Sequence, residues 1–151
     1  MKILMVCLGN ICRSPLAEGI LLKKIQDHNL KLWVESAGTS GVHAGDSPDR
    51  RMQKTAAMRG VDIGDLRARK FKRKDFKKYD LIYVMDENNY NDLIALATTE
   101  VDKSKVKILL NEVTPGENNP VPDPYYGGQD GFEMVFDLLD EATDRIVDKY
   151  K

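Results

Sequence analysis

Residues 2–15 read Lys-Ile-Leu-Met-Val-Cys-Leu-Gly-Asn-Ile-Cys-Arg-Ser-Pro, and this short span passes through three kinds of structure. Residues 2–7 are an almost unbroken apolar run, the pattern of a strand buried on both faces. Gly9 and Asn10 break the run, and both tolerate the left-handed backbone of a tight loop. Ser14 then reads as a helix cap, with Pro15 at the first helical position and Glu18 in the first turn. A buried strand that turns directly into a helix is the opening of a βαβ unit.

The rest of the chain repeats the alternation. Runs 32–36, 81–85 and 106–110 are further strand candidates of similar length. The first helix should run from Ser14 to about His28, and a second should follow Ser47-Pro48 and end near Gly60. A third follows Asp86 and passes through Tyr90, Leu93 and Ile94. In the last element Phe132, Val135, Phe136, Leu139, Ile146, Val147 and Tyr150 fall at helical spacing, and six acidic residues from Glu133 to Asp148 occupy the other face. This order predicts an α/β fold: a single three-layer domain spanning residues 1–151, with a parallel sheet covered by helices on both faces. Two irregular stretches, 36–47 and 111–129, are candidates for the loops beyond the strand ends, where such sheets bind ligands.

Composition narrows the function classes. A net charge of −1 gives no global attraction to nucleic acid or membrane. The apolar runs are too short to span a bilayer, and the first of them leads straight into polar residues, unlike a signal peptide. Only Cys7 and Cys12 are present, too few for a secreted disulfide framework, so a reducing cytoplasm is expected. His28 and His43 lie at no metal-ligand spacing, and neither a dinucleotide-binding nor a Walker-type glycine motif occurs. No metal or cofactor is therefore expected.

The loop after the first strand carries the chemistry. Cys7 and Arg13 bracket Leu8, Gly9, Asn10, Ile11 and Cys12, a spacing that lets one loop wrap a tetrahedral anion. Backbone N–H groups of residues 8–13 can converge as a nest, and the helix N-terminus adds to the same positive field. Arg13 supplies a planar fork matched to two phosphate oxygens. Thiolates rather than thiols attack, and this environment stabilises that anion at Cys7. Ser14 is placed to donate to the sulfur. Cys12 has two readings, a small packing residue or a resolving thiol for an oxidised Cys7.

With Val6-Cys-Leu-Gly-Asn-Ile-Cys-Arg-Ser-Pro-Leu-Ala-Glu18, Glu35-Ser-Ala-Gly-Thr39 and Pro122-Asp-Pro-Tyr-Tyr126 in register, the chain resembles the low-molecular-weight protein tyrosine phosphatase family over nearly its whole length. The resemblance implies four parallel strands, a phosphate-binding loop between the first strand and first helix, cytoplasmic location and no metal. It implies phosphotyrosine-bearing protein substrates and a cognate tyrosine kinase as a further partner. It also implies a cysteinyl-phosphate on Cys7, with Arg13 holding the phosphate and Asp123 as general acid and then base. Tyr125 and Tyr126 would form an aromatic wall, and Asn10 would brace the loop. Two positions depart from the family. Val42 stands where an aromatic residue is common, and Leu66 replaces a histidine that braces the phosphate loop, leaving that task to Asn10 and Ser36. Ile11 stands where phosphoarginine-specific relatives carry threonine, which favours a phenyl ring over a guanidinium.

Rival functions are weaker. Arsenate reduction on a similar loop needs a third cysteine in the chain or an external thiol partner, and a phosphotyrosine-binding module would not need both Cys7 and Asp123. The basic run from Arg67 to Lys78 reads as a solvated face or a site of attraction for an acidic phosphoprotein.

Overall fold

The computed structural model describes residues 1–125 and 127–151. Four strands pair in parallel in the order β2-β1-β3-β4. The central strand β1 (Lys2–Cys7) is flanked by β2 (Trp33–Gly38) and β3 (Leu81–Val84), and β4 (Val106–Ile108) forms one edge. Ile3, Leu4, Met5 and Val6 are wholly buried, as expected where side chains leave both faces of a central strand into packed helices. The edge strand β2 instead alternates, with Trp33 and Glu35 exposed and Val34 and Ala37 buried.

Side chains on the two faces of the sheet enter separate cores. Ile3, Met5 and Tyr83 join α1 (Arg13–Asp27), α2 (Arg50–Met58) and the long C-terminal helix α6 (Gln129–Tyr150). Leu4, Val6, Ile82 and Val84 meet Phe71, Phe76, Tyr79 and Leu93, carried by the segment leading into α3 (Asp75–Lys78) and by α4 (Glu87–Leu96). A short α5 (Glu100–Ser104) precedes β4. The helices thus lie on both sides of the sheet, as the alternation predicted. Lys24 of α1 ties α6 into its layer through Asp140 and Asp144 at 2.7 and 2.8 Å.

Three local expectations change. The apolar run 106–110 is not all strand, because β4 ends at Ile108 and residues Leu109–Glu112 wind into a 3-10 turn. Helix α1 begins at Arg13 with Cys12 in the cap position, so Ser14 is not its cap. The Ser14 hydroxyl is claimed by Cys7 and Asn10. Of the two residues expected to supply left-handed geometry in the loop, only Asn10 has positive φ, at 58°.

The order of strands places the phosphate-loop candidate at the switch point of the sheet. One crossover leaves β1 toward β2 and the next strand lies on the opposite side, opening a crevice beyond the carboxyl ends of β1 and β3. Cys7 ends β1, and Asp86 follows β3 by two residues. No helix among the described residues is long and apolar enough to cross a membrane.

Candidate active site

A cleft of about 190 Å³ opens at that crevice, lined by Cys7, Leu8, Gly9, Ile11, Cys12, Arg13, Asp123 and Tyr125 among others. The Cys7 sulfur accepts the Asn10 backbone N–H at 3.3 Å and lies 3.0 Å from Ser14 Oγ. The serine hydroxyl has one proton and two acceptors in reach, the sulfur and the more distant Ala37 carbonyl at 3.4 Å. The sulfur is the nearer of the two, within reach of a donation from Ser14.

Asn10 organises the loop from within. It is 2% exposed, and its Nδ2 donates to Ser14 Oγ at 2.7 Å and Ser36 Oγ at 3.0 Å. Its Oδ1 accepts the Arg69 backbone N–H at 3.0 Å. Ser36 in turn donates to Glu18 at 2.5 Å. Burial raises the Glu18 pKa, and the Ser36 hydrogen bond works against that rise. The brace left to Asn10 and Ser36 by the Leu66 departure is therefore in place. Beneath it Gly38 pairs with Cys7 in the sheet. A Cβ on Gly38 would stand 2.8 Å from the Leu8 carbonyl oxygen and 3.1 Å from the Asn10 nitrogen, so the phosphate loop lies directly on the backbone of β2.

Arg13 is 3% exposed and its guanidinium is divided in use. Nη1 donates to Asp86 Oδ2 at 2.8 Å and to the Val121 carbonyl at 3.0 Å. Nε is buried and has no hydrogen-bond partner among the described residues, and Nη2 stands 3.7 Å from Asp123 Oδ2. One nitrogen fixes the plane, and the Nε–Nη2 edge is the pair of donors that a phosphate can engage in bidentate fashion. No side chain caps α1, which leaves its N-terminal amides to the same anion. Nothing local in the sequence marked Asp86 for this task beyond its place as the N-cap of α4.

Asp123 lies at the cleft with its carboxylate partly exposed, and it accepts the Tyr125 backbone N–H at 3.0 Å. A second unforeseen link holds that segment. Asp49 donates its N–H to the Ile11 carbonyl at 2.7 Å and caps α2 through the amides of Arg51 and Met52. Its carboxylate pairs with Arg51 at 3.1 Å, and Arg51 Nη2 donates to the Tyr125 carbonyl at 2.7 Å. Arg51 also stacks over Phe132, 4.7 Å from the ring centroid. The Cys7–Arg13 loop and the segment carrying Asp123 are thus joined through Asp49 and Arg51.

The walls include a residue beyond those expected. Tyr125 lines the cleft, and its ring lies 6.2 Å from that of His43, tilted by 50°. His43 is held by Asp46 at 3.2 Å, and this histidine, which had no role assigned from sequence, is also part of the wall. Val42 is at the rim and 82% exposed. Tyr126 lies outside the described residues. Ile11 faces the cleft from the edge of the core. Cys12 is buried in that core, and burial pushes its thiol pKa up.

Comparison with known proteins agrees with this geometry. The sequence model of a family described as low molecular weight phosphotyrosine protein phosphatase matches residues 2–151. The human low molecular weight phosphotyrosine protein phosphatase is 41% identical over 138 residues, covering 89% of this chain and 86% of that protein. A crystal structure of a protein tyrosine phosphatase from Entamoeba histolytica superposes with a TM-score of 0.92 at 42% identity, covering 99% of this chain and 96% of the other. The Drosophila arginine phosphatase superposes with a TM-score of 0.92 at 32% identity, covering 100% and 98%.

Proposed function

The chain belongs to the low molecular weight phosphotyrosine protein phosphatase family and is a protein tyrosine phosphatase, and we propose that it works through Cys7, Arg13 and Asp123, with residues 1–151 acting as one phosphatase domain. The Cys7 thiolate attacks phosphorus in line with the ester oxygen. The S–P bond forms as the P–O bond to the tyrosine breaks, and Asp123 gives its proton to the departing phenolate. The ionised Asp123 then takes a proton from a water that attacks phosphorus. The S–P bond breaks, inorganic phosphate leaves, and the thiolate returns to its hydrogen bonds from Ser14 and the Asn10 amide. Leu8, Gly9, Asn10, Ile11 and Cys12 supply the loop around the phosphate, while Arg13 and the N-terminus of α1 follow the charge as it shifts onto the oxygens.

One observation carries the assignment: Cys7 and Arg13 of the first loop and Asp123, more than a hundred residues further along, line a single cleft. Tyr125, Val42 and Tyr126 are assigned to the substrate ring. The partner this chemistry requires is a phosphotyrosine protein, with a tyrosine kinase as its supplier. Both cysteines are free, which supports a reducing, cytoplasmic setting.

The test compares an activated aryl phosphate with a phosphotyrosine peptide. Cys7→Ser should abolish turnover of both while retaining phosphate binding. Asp123→Ala should lose about 10²–10⁴-fold on the peptide, whose leaving oxygen needs the proton, and far less on the activated ester. Equal losses on both substrates would remove Asp123 from the acid role.

A further inference from the structure

Beyond the lip of the cleft lies a second, larger groove, lined by Glu35, Ala44, Arg69, Lys70, Lys72, Lys74, Asp75 and Lys78 around a volume of about 670 Å³. Its two carboxylates are already matched within the fold. Asp75 pairs with Arg69 at 3.0 Å, and Glu35 pairs with Lys78 at 3.5 Å. Lys70, Lys72 and Lys74 are exposed and have no ion pair among the described residues. The groove therefore presents three uncommitted cations in a chain whose net charge is −1.

Neighbouring residues of one segment border both this groove and the active-site cleft. Ser40, Val42 and His43 line the cleft, whereas Ala44 lines the groove. The Lys70 stem packs 3.3 Å from where a Gly41 Cβ would stand. The backbone of residues 69–71 is also fixed against the catalytic loop. Gly38 donates to the Arg69 carbonyl at 2.8 Å, Phe71 donates to the Gly38 carbonyl at 2.7 Å, and the Arg69 N–H is held by Asn10. The lysines are thus anchored to the same residues that shape the phosphate loop. A peptide whose phosphotyrosine enters the cleft and whose chain crosses the Ser40–His43 lip meets them next.

We propose that this groove selects substrates whose phosphotyrosine is flanked by acidic residues, with Lys70, Lys72 and Lys74 as the specificity-determining side chains. The inference rests on the phosphatase reading of the cleft and adds a second recognition site to it. The lysines touch no reacting atom, so the effect falls on KM for peptides and leaves small aryl phosphates untouched. An exposed lysine–carboxylate pair contributes a few-fold at most, so three together give a preference of about tenfold at low salt. Screening shrinks it as ionic strength rises.

The experiment measures kcat/KM for phosphotyrosine peptides flanked by aspartate and glutamate, by serine and glycine, or by lysine, with p-nitrophenyl phosphate as the small substrate. The parent should favour the acidic peptide over the neutral one by about tenfold near 50 mM salt. Lys70→Glu/Lys72→Glu/Lys74→Glu should reverse the order, and the milder Lys→Gln triple variant should flatten it. Both should keep parental rates on p-nitrophenyl phosphate, which also verifies that they fold. An unchanged peptide ratio in the variants overturns the proposal. So does a parent that does not discriminate among peptides but binds anionic lipid vesicles or RNA through these lysines. A parent inactive on every phosphotyrosine substrate would instead overturn the phosphatase reading, a distinct result.

Discussion

Replacing Asn10 by alanine tests how firmly the phosphate loop is set before any anion arrives. The substitution removes both Nδ2 donations, to Ser14 and Ser36, and strands the Arg69 N–H that Oδ1 now accepts. The stranded amide costs about 1–3 kcal/mol, and each hydroxyl bond about 0.5–1.5. Alanine at a φ of 58° costs about 1 kcal/mol more through the clash of its Cβ with the backbone. Ser14 and Ser36 keep other partners, and half-buried Arg69 can recruit water, so the expected loss lies near the low end, about 3–4 kcal/mol. That is a large share of a domain's stability. Asn10→Gly loses the same hydrogen bonds without the Cβ clash and should recover about 0.5–1 kcal/mol, net of its greater unfolded-state entropy. Urea unfolding followed by far-UV circular dichroism gives both values, and kcat/KM on p-nitrophenyl phosphate reports the loop. A loss under about 1 kcal/mol for the alanine variant, or a glycine variant less stable than it, would refute this account of the brace.

Gly38→Ala puts a Cβ against the Leu8 carbonyl and Asn10 nitrogen. Because the neighbours are backbone, the loop must move, lowering stability by about 1–3 kcal/mol and kcat/KM at least about tenfold; parental kinetics would show that the loop tolerates the shift. Ile11 at the cleft should favour phosphotyrosine over phosphoarginine, because an apolar rim leaves guanidinium N–H groups desolvated and unpaired, and Ile11→Thr should narrow the gap. A parent that prefers phosphoarginine, or a mutant with an unchanged kcat/KM ratio, means the contact is misread. Asp49 provides a pH test. Burial pushes its carboxyl upward, but hydrogen bonds from the Arg51 side chain and from the Arg51 and Met52 amides outweigh it and hold the pKa below its ordinary value. A lowered carboxylate pKa stabilises the fold above the unfolded-state value, and that contribution disappears as pH falls through the folded-state value. Asp49→Asn, still a good helix cap, should be less stable than the parent near about pH 6 and approach it near about pH 3. Parallel urea midpoints for the two across that range would discount the charge.

How much of this was legible in the sequence depends on the range of each interaction. The loop from Cys7 to Arg13 could be read because its parts are consecutive, and α6 because its buried face recurs every turn. The end of β4 could not, since Leu109 and Leu110 are as apolar in a 3-10 turn as in a strand. Ser14 carried the usual signal of a cap, but the sulfur and amide that claim it decide its role. Asp86, Asp49 and Arg51 gave no sign of their tasks, because each acts on a group distant in sequence. His43 had no motif around it, and only the approach of Tyr125 makes it part of the wall.

The divided guanidinium of Arg13 also sets a schedule for the newborn protein. One of the two groups that fix its plane is the Val121 carbonyl, 108 positions further along the chain. At about 5–20 residues added per second, roughly 5–20 s separate the synthesis of these two residues. Throughout that interval the nascent chain holds Cys7 and the complete loop sequence but lacks the Val121 contact that, with Asp86, orients Arg13. On the proposed mechanism, activity is expected only once the segment carrying Val121 and Asp123 docks.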